Sequence, residues 1–157
     1  RLTATLAPAW SARAAAFDYE PIITVYLRCD GRRWATPMLA LVENNSAPAQ
    51  FAFDHGALGG QAGVFAFVVS GARRWVERGL DDTGAAVLQQ ATPLLPGAAV
   101  LRVLSEKRAT FRCTPGLDRP PATIAPGLLA AGDYVEGPYP ATLEGAVRRG
   151  EAAAAAL

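Results

Sequence analysis

The chain has 157 residues and a formal net charge of +1, with 51% hydrophobic and 18% charged side chains. Its length suffices for one domain that buries about 70% of its unfolded surface. Its composition is globular, with fewer charges than an average soluble domain, and its scattered arginines give no electrostatic basis for nucleic-acid binding.

The sequence also argues against a metal site. Cys29 and Cys113 lie far apart, no Cys-x-x-Cys pair occurs and His55 is the single histidine, so zinc is not expected and the cysteines are interpreted as reduced thiols. A disulfide between them is an alternative that no secretory signal supports. No apolar run reaches the roughly 18 residues needed to span a bilayer. Because the chain opens on Arg1 rather than methionine, we expect a piece of a longer, cytoplasmic protein.

The predicted elements alternate helices with strands. The first is a helix within residues 2–17. Four strands follow, over residues 22–27, 37–42, the region of 51–53 and 64–69. After them come helical stretches within residues 73–95, broken near Gly79, and a strand over residues 99–111. The run 22–27 is β-branched and aromatic, which is typical of a strand. Phe51 and Phe53 alternate with small or polar neighbours, so we expect one packed face. The apolar run 64–69 predicts a central strand covered on both faces.

The glycine-rich connection between Asp54 and Gly63 could be a nucleotide-binding loop. A dinucleotide fingerprint needs Gly-x-Gly-x-x-Gly after a strand and before a helix. The spacing of Gly60 and Gly63 matches that of the last two glycines of this fingerprint. Leu58, however, occupies the position of the first glycine, and a strand follows instead of a helix, so a hairpin loop is predicted. Asp54 and His55 could form an acid–base pair, since the pKa of histidine lies near neutrality. A structural turn is the favoured interpretation.

The long strand over residues 99–111 carries a lysine where an apolar side chain is expected. Strand alternation puts Lys107 on the same face as Leu101, Val103 and Phe111. Two interpretations remain open. The aliphatic stem lies along the core while the ammonium reaches water, or the ammonium points into a site that needs a cation.

The last part of the chain carries the clearest site pattern. It predicts a short buried strand end over residues 128–131, a Gly-Asp turn, a loop and a helix for which Thr142 is the predicted N-cap. One helical face carries small and apolar residues, namely Leu143, Ala146, Val147, Gly150, Ala154 and Leu157. Because the first backbone N–H groups of a helix lack intrahelical partners, such a helix start favours an anion. The alternative is a strand–turn–helix that merely closes a domain.

Several motifs are similar to those of a known enzyme family. Ala-Gly-Asp-Tyr at residues 131–134, followed by Tyr-Pro-Ala-Thr-Leu-Glu-Gly-Ala-Val-Arg at 139–148, resembles the C-terminal flavin-binding motif of the FAD-dependent amine oxidase and phytoene desaturase superfamily. Glu-Lys-Arg-Ala-Thr-Phe at 106–111, Thr-Pro-Gly at 114–116 and Tyr-Glu-Pro-Ile-Ile-Thr-Val at 19–25 resemble the squalene-associated FAD-dependent desaturases, or hydroxysqualene dehydroxylases. The sequence departs from these enzymes in lacking their initial Rossmann strand–turn–helix.

The resemblance implies a flavin site in the terminal stretch. Gly132 and Asp133 would lie beside the ribityl-diphosphate portion of FAD. Thr142 and Leu143 would present backbone N–H groups to the pyrimidine edge of the flavin, where a helix N-terminus favours negative charge by roughly 0.3–2 kcal/mol. Pro140 and Ala141, which lead into that helix, complete the implied cofactor-binding residues.

The resemblance also implies a catalytic residue and a substrate channel. Lys107 is the candidate catalytic residue, because many amine oxidases hold a lysine near the flavin N5 through a water. The side chains that would line an apolar channel for a long isoprenoid are Phe51, Phe53, Phe65 and Phe67. Core packing explains these four phenylalanines equally well.

We therefore predict an α+β fold, with a largely antiparallel or mixed β-sheet, flanking helices and a final strand–turn–helix that belongs to a split FAD-binding domain. Residues 1–125 would be part of a substrate-binding domain, and residues 126–157 would supply the C-terminal FAD-binding strand and helix. The expected parent enzyme converts hydroxysqualene to squalene in hopanoid synthesis. The isolated chain is expected to bind FAD weakly or not at all and to be inactive. The alternatives are a carotenoid desaturase or flavin amine oxidase relative, and a cofactor-free packing or association domain.

The expected partners follow from the same resemblance. They are the hydrophobic isoprenoid substrate, the missing N-terminal FAD domain and a membrane surface contacted peripherally. Further copies of the chain are also expected partners, because bare apolar contact surface promotes self-association. Neither nucleic acid nor a metal is expected.

Overall fold

The computed structural model of the protein describes residues 3–156. Arg1, Leu2 and Leu157 lie outside the described residues, and with them the predicted helical positions of Leu2 and Leu157. The helices are α1 (Pro8–Ala15), α2 (Arg73–Arg78), α3 (Leu80–Ala91) and α4 (Leu143–Ala155). The strands are β1 (Tyr19–Arg28), β2 (Met38–Ala40), β3 (Phe51–Asp54), β4 (Val64–Val69), β5 (Ala99–Phe111), β6 (Thr123–Ala125) and β7 (Leu128–Leu129).

The chain divides into two compact units. The sheet unit is the continuous segment Glu20–Ala109, and the terminal unit combines the residues up to Tyr19 with those from Thr110 onward. This division does not follow the predicted boundary between residues 125 and 126, because the residues up to 19 and those from 110 to 125 group with the terminal stretch. Which functional domain each unit serves stays a prediction.

The sheet unit is built on a five-stranded sheet with the order β2-β3-β4-β1-β5. The β1–β4, β2–β3 and β3–β4 pairs are antiparallel. The glycine-rich connection after Asp54 is the hairpin loop between β3 and β4, as predicted. Together with the flanking helices, this arrangement confirms the predicted α+β fold with a mostly antiparallel sheet.

One face of this sheet forms the core of the unit. Residues that stand directly opposite each other on paired strands share a face, so Val25, Phe67 and Ala52 lie side by side. The same face carries Ile23, Leu27, Phe65 and Val69, and it packs with α3 residues Val87 and Ala91 and with Leu95. Burial of these β-branched and aromatic side chains stabilises the unit at about 25 cal/mol per Å² of apolar surface.

The other face of the sheet is only partly covered, and we call it the open face. It consists of the cross-strand neighbours Met38, Ala40, Phe51, Phe53, Ala66, Val68, Thr24 and Tyr26. Met38 is 50% exposed and Phe51 42%. Burial alternates along β3, which confirms the expected single packed face, and that face carries Ala52 and Asp54 rather than the two phenylalanines.

The terminal unit contains short elements and an aromatic cluster. Phe17 stacks on Phe111 with ring centroids 4.9 Å apart, and Tyr134 meets both Phe17 and Trp10 edge-on at 6.4 Å. The strands β6 and β7 form a two-stranded hairpin. Leu128 of β7 is 38% exposed. The predicted buried strand end is therefore wrong, because β7 pairs with β6 alone.

None of the helices described between residues 3 and 156 combines the length and the apolar character needed to cross a membrane.

Candidate functional site

The candidate site lies in the terminal unit, where residues 132–142 lead into α4. We call this segment the cap loop. The amide of Ala141 donates to the carbonyl oxygen of Asp133 over 3.4 Å, which brings the Gly-Asp turn next to the beginning of the helix. Gly132, Asp133, Pro140, Ala141, Thr142 and Leu143, the six residues implied as cofactor-binding, therefore belong to one local structure.

Thr142 is the N-cap of α4, as predicted. Its Oγ1 accepts a hydrogen bond from the amide of Gly145 at 3.0 Å and donates one to the carbonyl of Tyr139 at 2.7 Å. A single hydroxyl thus satisfies a first-turn amide of the helix and a carbonyl of the loop. The amides of Leu143 and Glu144 precede the first intrahelical bond and have no intrahelical acceptor. Leu143 is 88% exposed, so this helix start is accessible to an anionic ligand.

The cap loop is held in an uncommon backbone conformation. Tyr139 and Ala141 have φ angles of 56° and 55°, a left-handed region that non-glycine residues rarely adopt. The carbonyl oxygen of Tyr139 lies so close to α4 that a Cβ on Gly145 would be 2.1 Å from it. Backbone strain of this kind persists only where the surroundings enforce it, and it concentrates at functional sites.

Tyr134 links the Gly-Asp turn to the aromatic cluster. Burial is the main cause that raises the pKa of Tyr134, and the charges of Asp133 and Tyr19 raise it further. The phenol is therefore held in its neutral form beside the predicted cofactor-binding acid.

Helix α4 makes its closest packing contact at a small residue, Gly145. Gly145 is its buried residue, whereas Leu143 and Val147, from the predicted small and apolar face, are 88% and 56% exposed. The apolar face of α4 is therefore available for contacts outside the described chain.

Lys107, the catalytic candidate, lies on β5 in the sheet unit and is exposed. The alternation that placed it on an apolar face is present, but that face is exposed at both Leu101 and Lys107. Leu101 is 51% exposed, and Val103 packs near Gly84 of α3. Of the two interpretations, an ammonium that reaches water agrees with this placement.

The four phenylalanines implied as a channel lining do not share a surface. Phe51 and Phe53 lie on the open face, whereas Phe65 and Phe67 are 0% exposed and belong to the core on the opposite face. The reason is register, since Phe53 stands opposite Ala66 and not opposite either phenylalanine of β4. Of these four phenylalanines, only Phe51 and Phe53 have side chains in the described residues that a ligand could contact.

The contacts of Asp54 and His55 are those of residues that stabilise a turn. The buried Asp54 carboxylate accepts hydrogen bonds from the amides of Trp34 at 2.9 Å and Ala57 at 3.1 Å. The His55 ring contacts Tyr26 edge-on at 5.6 Å. The favoured interpretation of a structural turn therefore agrees with the contacts seen.

Sequence patterns gave no indication of the basic residues that hold the cap loop. Arg119 donates to backbone carbonyls of the loop, and Arg149 of α4 lies against Gly137. A lone arginine in a proline-rich segment carries no periodic signal, and Arg149 lies among other charged residues of α4. Their role follows from tertiary contacts alone.

These features define an α+β protein with a strained loop at an accessible helix start, an arrangement suited to an anionic cofactor. The chain is similar in fold to an oxidoreductase from Methanosarcina mazei whose crystal structure is known, with a TM-score of 0.68 and 16% identity. That similarity covers 97% of this chain and 38% of the other chain. The chain therefore spans well under half the length of that oxidoreductase. A search of curated proteins finds no significant match.

The family follows from the sequence as a whole. Residues 1–157 match the family model of the flavin-containing amine oxidoreductases, and the chain belongs to this family. The predicted superfamily and the flavin as its cofactor are thereby confirmed.

Proposed function

We propose that this chain is the C-terminal part of an FAD-dependent oxidoreductase that acts on a hydrophobic isoprenoid, with hydroxysqualene as substrate and squalene as product. The observation that carries the proposal is the cap loop, where the six implied cofactor-binding residues meet at the accessible beginning of α4. Membership of the flavin-containing family supports the redox class. The substrate rests on the resemblance of residues 19–25, 106–111 and 114–116.

The cap loop is suited to hold the flavin through its backbone. Leu143 and Glu144 have amides without intrahelical acceptors, and the helix dipole adds a partial positive charge at this end. Asp133 and Gly132 would lie along the ribityl-diphosphate portion of FAD. When bound, reduced FAD would supply a hydride to the carbon that carries the hydroxyl group, the hydroxyl group would leave with a proton as water, and the flavin would end oxidised.

The open face of the sheet unit is the proposed substrate wall. Met38, Phe51 and Phe53 are apolar and at least partly exposed, and Tyr26 lies beside them. A hydrocarbon chain that covers these side chains removes apolar surface from water. Lys107 is kept as the catalytic candidate on the resemblance alone, because many amine oxidases hold a lysine near the flavin N5.

The exposed apolar side of α4 supports a partner in the parent protein. Leu143, Val147 and the adjacent Tyr139 are 88%, 56% and 51% exposed. Leu143 and Val147 lie one turn apart on the same side of α4, and exposed apolar groups of this kind support an interaction site. The proposed occupant is the N-terminal FAD domain, and without it, we expect copies of the chain to associate through this side.

The decisive experiment is purification of the intact protein that contains this chain, followed by a flavin absorbance spectrum and turnover assays. We expect bound FAD and conversion of hydroxysqualene to squalene in preference to phytoene oxidation or amine oxidation. A protein without flavin would overturn the redox proposal. Preferred turnover of phytoene or an amine would overturn the substrate and select the corresponding alternative.

Lys107 is tested separately. We expect Lys107→Met to reduce turnover while flavin content is unchanged, and Arg102→Met, an exposed change on the same strand, to leave both unchanged. Equal turnover of the two variants would remove Lys107 from the proposed site.

Light scattering tests the isolated chain. Association that increases with concentration is expected, and Val147→Lys should reduce it by placing a charge in the exposed apolar side of α4. Monomeric behaviour at high concentration would contradict the proposed contact surface.

A further inference from the structure

Arg119 lies outside the cofactor-binding motif and contacts the cap loop directly. Its Nη1 donates to the carbonyl oxygen of Val135 over 2.9 Å, and its Nη2 donates to the carbonyl oxygen of Gly137. The two bonds use the planar fork of one guanidinium to bind carbonyls two residues apart in the loop. Arginine is suited to this geometry because its donors are rigidly oriented, whereas the ammonium of lysine is a point charge.

The backbone next to Arg119 reinforces this contact. The carbonyl oxygen of Pro120 accepts from the amide of Glu136 at 2.9 Å. The carbonyl oxygen of Pro121 accepts from the indole Nε1 of Trp10 in α1 at 2.8 Å. The strap formed by residues 119–121 is thus bonded to the cap loop and also to α1 within the terminal unit.

A residue of helix α4, Arg149, also restricts the cap loop. A Cβ on Gly137 would lie 2.5 Å from the Cζ atom of Arg149, so the Arg149 guanidinium is in direct contact with the backbone there. Gly137 has a φ of 140°, and Val135 is 1% exposed. Two guanidinium groups therefore contact the loop backbone at Gly137, and the side chain of Val135 is buried at the other end of this segment.

This confinement explains how the strained residues that follow are maintained. Tyr139 and Ala141 come directly after the segment bound by Arg119, and their left-handed φ angles require surroundings that enforce them. The carbonyl of Tyr139 must also stay within reach of Thr142 Oγ1. Fixing the carbonyls of Val135 and Gly137 fixes the start of the turn that presents the first amides of α4.

We propose that Arg119 is a positioning residue that holds the cap loop and the beginning of α4 in the geometry required for flavin binding. The inference rests on the proposed function for the flavin, but the ordering of the loop can be measured without it. Arg119 acts through the backbone of residues 135–137 and does not itself contact the flavin.

The experiment uses the intact protein that contains this chain, with the variants Arg119→Gln and Arg119→Lys. Arg13→Gln is the matched control, because Arg13 is an arginine of the same unit whose exposed ion pair with Asp118 is 3.2 Å long. Hydrogen exchange of the amides in residues 133–146 reports loop order. Titration of the deflavinated protein with FAD, and the visible spectrum of the bound flavin, report the site.

We expect both Arg119 variants to raise cap-loop exchange by about ten- to a hundredfold, the effect of losing charge-assisted hydrogen bonds. Exchange in β1 and β4 should stay unchanged. FAD affinity should fall by a similar factor, and the visible spectrum of the bound flavin should shift. Arg119→Lys should restore less than half of the loss seen in Arg119→Gln, because an ammonium group cannot reproduce the planar fork of the guanidinium. Arg13→Gln should change none of these.

Three outcomes overturn the proposal. Cap-loop exchange in both variants that equals the Arg13→Gln value would show that Arg119 does not order the loop. Raised exchange with unchanged FAD affinity and spectrum would show that the ordering has no role in the site. Full restoration by Lys would show that charge alone, and not the two-carbonyl geometry, is responsible. Absence of flavin from the unsubstituted protein would instead overturn the proposed function, while the exchange measurement still decides whether Arg119 orders the loop.

Discussion

The sheet unit and the terminal unit are stabilised in different ways. In the sheet unit, Phe65, Phe67, Val25 and Leu27 are completely buried, and regular pairing satisfies the backbone. In the terminal unit the strands β6 and β7 are short, and the cap loop is held by side chains that bind carbonyls. Burial gives the sheet unit its stability, whereas close backbone approach gives the terminal unit its geometry. Substitutions should therefore act through lost packing in one unit and through steric and hydrogen-bond effects in the other.

Replacing Phe67 should have the largest effect. Phe67→Ala leaves a cavity beneath α3 and is expected to reduce the free energy of unfolding by about 3–5 kcal/mol, measured by hydrogen exchange of β1 and β4 amides. Phe51→Ala on the open face is the matched control and should cost much less, because Phe51 is 42% exposed. Equal losses for the two variants would mean that the two faces of the sheet are equally packed.

Gly145→Ala tests close backbone approach in the terminal unit. The new methyl group would meet the Tyr139 carbonyl at 2.1 Å, so the loop must move, at a cost of about 1–3 kcal/mol typical of overpacking. Gly150→Ala is the control on the same helix, where a Cβ meets nothing within 4 Å. That change should stabilise α4 by about 0.5–1 kcal/mol. If both substitutions stabilised the protein, the close contact would be disproved.

Thr142→Ala removes the cap hydroxyl. We expect a loss of about 1 kcal/mol, the usual effect of deleting an N-cap, together with weaker FAD binding in the intact protein. Thr142→Ser keeps the hydroxyl and should restore most of both. Urea denaturation and FAD titration of the same samples provide the comparison, and a serine variant as impaired as alanine would contradict the capping role.

Tyr134 should produce the smallest effect, visible at high pH. Its pKa is raised by burial first, and then by Asp133 and Tyr19, so the folded state retains the phenol proton more strongly than the unfolded state. The stability linked to this proton is fully present below the ordinary tyrosine pKa of about 10 and is lost as the pH rises through the raised value. Tyr134→Phe should flatten the decline of stability in alkaline denaturation curves, and Tyr139→Phe should not. An unchanged decline in Tyr134→Phe would refute the linkage.

The sequence predicted the elements of the sheet unit well because burial leaves a pattern. The β-branched run beginning at Ile22 and the apolar run beginning at Val64 indicated strands that the structure contains. Leu58 at the first glycine position of the fingerprint, and the strand that follows Gly63, correctly indicated a hairpin. Thr142 was identified as an N-cap because its chemistry is local to the helix end.

Features that depend on tertiary contacts were not predictable in the same way. Whether Phe51 faces the core or the open face is set by strand register, and a shift of one residue reverses it. The exposure of Lys107 depends on which part of β5 other elements cover, and strand alternation carries no information about that. The left-handed conformations of Tyr139 and Ala141 have no sequence signal, because neither residue favours that region.

The discontinuous composition of the terminal unit has a consequence for synthesis on the ribosome. The residues up to Tyr19 are synthesised before the sheet unit, but their unit is completed only by residues from Thr110 onward. The continuous segment Glu20–Ala109 emerges in between, and contiguous units generally fold as they emerge. The terminal unit, with the cap loop in it, can therefore assemble only after the whole segment Glu20–Ala109 has been synthesised.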